Sequence, residues 1–198
     1  ISSLLDKKQP AADPGKPVGP SAAERLASKA GTDIFIGRQP ILNSEQKIFA
    51  YDLLFCGSAS AGAAGVTDGV QATSRLLINT FSNFGVERVL GDKKAFVNVS
   101  TELLEGDVLT LLPADKVVLE ILEDVLPTDE VVSRCRQLQV MGYQFALDGF
   151  VYRAELEPLL DIAAYVKLDV RALGLAALAG QMRLLRGRSL RFIAEKVE

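Results

Sequence analysis

From residue 34 onward, short apolar runs alternate with polar and turn residues, and the period of the alternation changes along the chain. "IFIGRQPIL" and "KIFAYDLLF" are two apolar runs joined by the polar "NSEQ", a β-hairpin signal. "VQATSRLLINTFSNFG" then puts Val70, Leu77, Phe81 and Phe84 at helical spacing, with Gly85 as a stop. Beyond it come the strand-like runs "AFVNVS", "KVVLEIL", "QFALDG", "YVKLDV" and "RFIAEKV". Helical patterns separate them: residues 102–112, residues 128–141 behind Pro127, "AELEPLLDIA" and "RALGLAALAGQMRLLRG". Strands recurring about every 20 to 30 residues match the length of a βα unit. Strands alternating with helices predict a parallel sheet, either closed as a barrel or open and doubly wound.

Each of the five runs carries a polar residue in its apolar stretch: Asn98, Glu120, Asp148, Lys167 with Asp169, and Glu195. A buried charge is costly unless it is paired, solvated or holding a metal. In a parallel barrel the carboxyl ends of the strands form the functional mouth, and these residues lie in or near those ends. An open sheet would put ligands at its switch point instead. The barrel is favoured because every strand contributes a polar residue. Two readings of the convergence stand side by side. One is a solvated cluster able to hold a divalent ion. The other is an internal salt-bridge layer, in which Lys167 neutralises Glu120, Asp148, Asp169 or Glu195 without chemistry.

Composition narrows the chemistry. The chain has 198 residues, 48% hydrophobic and 24% charged, an ordinary globular balance. A net charge of −3 gives no global basic field for a nucleic acid polymer, and "RLLRGRSLR" reads as the solvated end of a helix. There is no histidine, which removes Ser-His-Asp sites, Cys-His sites and every His-based metal site. Any metal would sit in oxygen ligands, suiting magnesium, manganese or calcium. Cys56 and Cys135 offer neither zinc spacing nor a disulfide framework, so a reducing, cytoplasmic setting is expected. No apolar run is long enough to span a bilayer. Residues 1–32, rich in Pro, Gly, Ala, Ser and charge, read as a flexible linker or tail, with "SAAERLASK" as a short helix. The chain begins with Ile, and a piece of a larger protein is expected. "CGSASAGAAG" lacks the ending of a phosphate-binding loop and reads as a flexible connection. The small residues of "LGLAALAG" permit a homodimer face, with packing on the barrel the favoured alternative.

"RQPI", "YDLLF", "FVNVS", "LEILE", "ALDGF", "VKLDV" and "AEKVE", in that order and spacing, resemble the EAL domain family of bacterial domains that hydrolyse or sense cyclic di-GMP. The resemblance covers residues 33–198 and looks most like the branch in which an HDOD domain follows. It implies an α/β, TIM-like barrel whose first strand is antiparallel, here apparently lacking its last strand. It also implies that such a chain depends on a neighbouring segment to close the gap. In active members, divalent ions, magnesium or manganese, activate a water against a phosphodiester. The positions matching the metal ligands are Asp52, Asn98, Glu120, Asp148 and Glu195. Lys167 matches the lysine that organises the water, Glu123 the glutamate that anchors the loop after the fifth strand, and Gln39 a substrate-contacting element.

The departures point the other way. Asp52 replaces the signature glutamate, Cys56 replaces a phosphate-contacting arginine, and Gly149 replaces the second aspartate of the paired motif. "VYRAELEPL" replaces the usual glycine- and serine-rich loop. The resemblance therefore implies a degenerate signalling or protein-interaction module, without hydrolysis and with weak or no cyclic di-GMP binding. Its partner would be a protein or a neighbouring HDOD-type domain. The alternatives are an active or conditionally active phosphodiesterase, or a non-catalytic sensor.

Overall fold

The computed structural model describes residues 35–56, 88 and 90–197, all within one compact unit, Ile34–Glu198. The expected tail, the glycine-rich connection and the helix around Val70–Phe84 lie outside the described residues. The remainder forms one seven-stranded sheet in the order β1 to β7, each strand paired with its neighbour in sequence.

β1 (Phe35–Leu42) and β2 (Ile48–Cys56) make the antiparallel hairpin. Its turn is closed by Asn43, whose side-chain Oδ1 accepts from the backbone N–H groups of Glu45 (3.0 Å) and Lys47 (2.9 Å). Such an Asx turn supplies locally the hydrogen bonds the ladder cannot. Gln46 completes it at a φ of 60°.

From β2 the sheet is parallel through β3 (Lys94–Val99), β4 (Val117–Ile121), β5 (Gln144–Leu147), β6 (Tyr165–Asp169) and β7 (Arg191–Glu195). Helices connect them: α1 (Thr101–Glu105), α2 (Asp129–Val140), α3 (Glu157–Leu160) and α4 (Val170–Leu184). Thr128 caps α2 by accepting from the Val131 N–H, and Asp169 caps α4 by accepting from the Ala172 N–H.

Two helices are shorter than their patterns. The stretch expected as one helix over 102–112 breaks at Gly106 into α1 and a 3-10 turn, Val108–Leu111. "AELEPLLDIA" likewise divides into a 3-10 turn, Ala154–Leu156, and the single turn of α3. α4 kinks at Gly174, whose φ of 70° is left-handed. α4 faces the barrel as expected, but its seating is shallow. None of its residues is buried, Leu173 and Leu178 only lean on the core, and Leu175 is 80% exposed.

The sheet curls. β2 and β6 are four places apart in the strand order. A flat sheet would hold them roughly 19 Å apart at the usual strand spacing. Yet Asp52 of β2 and Lys167 of β6 are joined at 2.8 Å. The result is a nearly closed barrel with β1 and β7 at its two edges.

Alternation along the strands divides the core in two. Ala50, Phe96, Val118, Ala146 and Tyr165 form a small cluster inside the barrel. Leu53, Val97, Leu119, Ile121, Leu147, Val166 and Leu168 face outward and build the larger core with α1, α2 and α3.

Candidate metal centre

Two residues beyond each member of the inner cluster, in the same strand or just past its end, sits a polar residue. Ala50 is followed by Asp52, Phe96 by Asn98, Val118 by Glu120, Ala146 by Asp148 and Tyr165 by Lys167. On β7, Ile193, which packs against that cluster, is followed by Glu195. A period of two in every strand thus stacks a polar layer on an apolar one, at the carboxyl ends of the parallel strands.

Lys167, only 3% exposed, is the centre of this layer. Its Nζ lies 2.8 Å from Asp52 Oδ2, 2.8 Å from Glu195 Oε1 and 3.9 Å from Asp148 Oδ1, and it donates a further hydrogen bond to Glu120 Oε1. Glu120 is fully buried, and Asn98 is its direct partner across the β3–β4 ladder. Asp169, counted among the possible partners of Lys167, is elsewhere: it caps α4 and pairs with Lys196.

Burial pushes the Glu120 carboxyl up to about 8, against the pull of the Lys167 ammonium and with the push of Asp52. For Lys167 burial acts downward, but the Glu120 charge and the hydrogen bonds to Asp52, Glu120 and Glu195 overcome it and hold the ammonium protonated. Burial also raises Glu195, opposed by Lys167.

Three buried oxygens in the layer have no hydrogen-bond partner: Asp52 Oδ1, Asn98 Oδ1 and Glu120 Oε2. They belong to three successive strands, β2, β3 and β4. One carboxylate oxygen from each of Asp52, Glu120 and Glu195 lies within 4.8 Å of the others. A cluster of carboxylate oxygens from Asp52, Glu120 and Glu195 fits a divalent cation such as magnesium, manganese or calcium.

The remaining expected site residues are more peripheral. Gln39, opposite Asp52 in the hairpin, lines a cleft of about 810 Å³ together with Asp52, Lys167 and Glu195. Glu123 is exposed and stands beside Gly149 rather than in the carboxylate cluster. Cys56 ends β2, and its side chain lies outside the described residues. Tyr165 and Arg191 also line the cleft, and the sequence reading did not single them out. The signal was present: they stand two and four positions before Lys167 and Glu195, on the same faces.

No protein-family model matches the chain. The uncharacterized protein YuxH of Bacillus subtilis is 36% identical over 171 residues, covering 83% of this chain and 41% of that protein. The cyclic di-GMP phosphodiesterase CdgJ of Vibrio cholerae is 34% identical over 166 residues, covering 83% of this chain and 38% of that one. The chain thus spans about two fifths of the length of these relatives. Among solved structures, the EAL-domain protein YkuI of Bacillus subtilis, in complex with its substrate c-di-GMP and calcium, superposes with a TM-score of 0.68 at 20% identity. That match covers 84% of this chain and 49% of YkuI. The chain has the fold of an EAL domain.

Within this EAL-type barrel, the position after Asp148 is a glycine. Gly149 has a φ of +51°, and a Cβ there would meet Glu123 Oε2 at 3.0 Å. No carboxylate stands at that position, and Asp148 itself is only loosely engaged by Lys167.

Proposed function

We propose that this EAL domain is a signalling module that recognises a partner protein or a neighbouring HDOD-type domain and does not hydrolyse cyclic di-GMP. The observation that carries this reading is Gly149. Two-ion phosphodiester hydrolysis needs ions held about 4 Å apart. The backbone at Gly149 is left-handed, and Glu123 crowds the place where a second carboxylate would start. Asp52, Asn98 and Glu120 retain oxygens for one ion, magnesium or manganese, which when bound would polarise a water or a phosphate oxygen. Asp52 and Glu120 would hold that ion, while Lys167 fixes their second oxygens.

A phosphodiesterase is the second reading. It is favoured by the convergence of Asp52, Asn98, Glu120, Asp148, Lys167 and Glu195 on one mouth, and by the likeness to a relative named as a cyclic di-GMP phosphodiesterase. Incubation with cyclic di-GMP and manganese, followed by chromatography of the products, separates the two. The expected outcome is no linear dinucleotide. Turnover that disappears in Glu120→Ala would establish the phosphodiesterase instead. Titration calorimetry with cyclic di-GMP and calcium completes the test, with weak or no heat expected. Micromolar binding without turnover would identify a sensor.

A further inference from the structure

Four carboxylates, those of Asp52, Glu120, Asp148 and Glu195, face a single ammonium in this mouth. That ammonium has a specific place. Lys167 Nζ contacts Asp52 Oδ2, Glu120 Oε1 and Glu195 Oε1, oxygens of the same three residues whose carboxylates gather within 4.8 Å of one another. A fully buried oxygen of Glu120, Oε2, is left aimed into the layer without a partner. The lysine stem rises from the middle of β6 and is 3% exposed, so the ammonium is fixed within the cage rather than swinging in from solvent.

We propose that Lys167 is the resident cation of the Asp52–Glu120–Glu195 cage and that it sets the domain's affinity for divalent ions by competing for those carboxylates. The inference rests on the reading of this cage as an ion site and adds what governs its loading. The physical basis is like-charge repulsion at short range in a water-poor setting, where screening is weak. An arriving ion gains the unpartnered oxygens of Asp52, Asn98 and Glu120, but it must sit beside an ammonium already bonded to the second oxygens of Asp52 and Glu120 and to Glu195. The domain should therefore hold an ion weakly until something moves Lys167 aside, such as a ligand phosphate or a partner-driven shift of β6. Removing the ammonium while keeping the stem should leave the cage oxygens to the ion alone.

The test is calorimetric titration of manganese into wild type, Lys167→Met and Lys167→Arg, each checked for folding by circular dichroism. Lys167→Met should bind manganese at least tenfold more tightly than wild type, and Lys167→Arg, which keeps a cation in the cage, should remain within a few-fold of it. A merely structural lysine would give the reverse, weaker binding in Lys167→Met, and that result overturns the proposal. Equal binding in wild type and Lys167→Met overturns it too, while leaving the ion site itself standing. Absence of binding in all three overturns both. Should Lys167→Met fail to fold without ion, acetylation of Lys167 in wild type, read by mass spectrometry, takes its place. The labelling rate should rise several-fold on adding manganese, and an unchanged or slower rate overturns the proposal.

Discussion

On the proposed reading, Gly149 is the residue at which hydrolysis is lost. Its φ of +51° lies where an L-residue is strained, and an added side chain would begin 3.0 Å from the Glu123 carboxylate. Gly149→Asp, the obvious repair of the paired-aspartate motif, should therefore fail. It should destabilise the domain by about 1 kcal/mol or less through backbone strain, since Asp enters the left-handed region more readily than most residues, with carboxylate crowding from Glu123 in addition. Glu123→Ala in the same chain should recover the crowding part. Denaturant unfolding of the single and double variants checks this, and a stable Gly149→Asp with new hydrolysis would contradict it. Cys135 carries a second prediction at this scale. It is fully buried on α2, and burial pushes its thiol up to about 12 from 9.0. The folded value lies above the unfolded one, so the thiol stays protonated through neutral pH, and the stability this contributes is lost as pH rises from 9.0 toward 12. A maleimide should therefore leave Cys135 unlabelled at neutral pH and react with it once denaturant is added. Peptide-level mass spectrometry reads both states.

At the scale of the element, what the sequence disclosed depended on whether the signal was local. The hairpin was legible because Asn43 closes its own turn, and α2 because Thr128 precedes a long apolar period. α1 and α3 were overestimated because apolar residues at helical spacing, such as Leu109 and Leu112, reach the core equally well from a 3-10 turn. α4 was legible in its placement on the barrel but not in its detail. Its composition is apolar, but the Gly174 kink and the shallow seating of Leu173 and Leu178 depend on neighbours that no local pattern encodes. The site was legible because a period of two is geometric: a polar residue set in each apolar run predicts convergence once the strands are adjacent. The cradling of Lys167 by four carboxylates, and the exclusion of Asp169, depended on the curl of the sheet and the start of α4. The cap gives a quantitative check. Thr128→Ala removes the acceptor for the Val131 N–H and should cost about 1 kcal/mol. In a domain of this size that is a Tm lower by roughly 2–4 °C, with Thr128→Ser close to wild type.

At the scale of the molecule, stability should be graded around the sheet. All five residues of β4 are buried, as are four of the five in β6, whereas β7 has no buried residue and reads exposed or half-exposed throughout. β1, at the opposite edge, has exposed Arg38, Gln39 and Pro40. A strand with one ladder and little apolar cover opens locally at low cost, while a doubly paired, fully covered strand opens only when the domain unfolds. Native-state hydrogen exchange should therefore find the amides of β4 and the buried part of β6 exchanging only through global unfolding. β7 should exchange through a local opening several orders of magnitude more frequent. This gradient bears on the site, because Glu195 ends β7 while Glu120 and Lys167 sit on the protected strands. Glu195 is thus the member of the cage that can leave without unfolding the rest, and whatever covers the β7 edge should tighten the cage by holding that strand in place. Uniform protection across β4 and β7 would mean that the open side of the barrel is as rigid as its closed side, and that Glu195 has no such freedom.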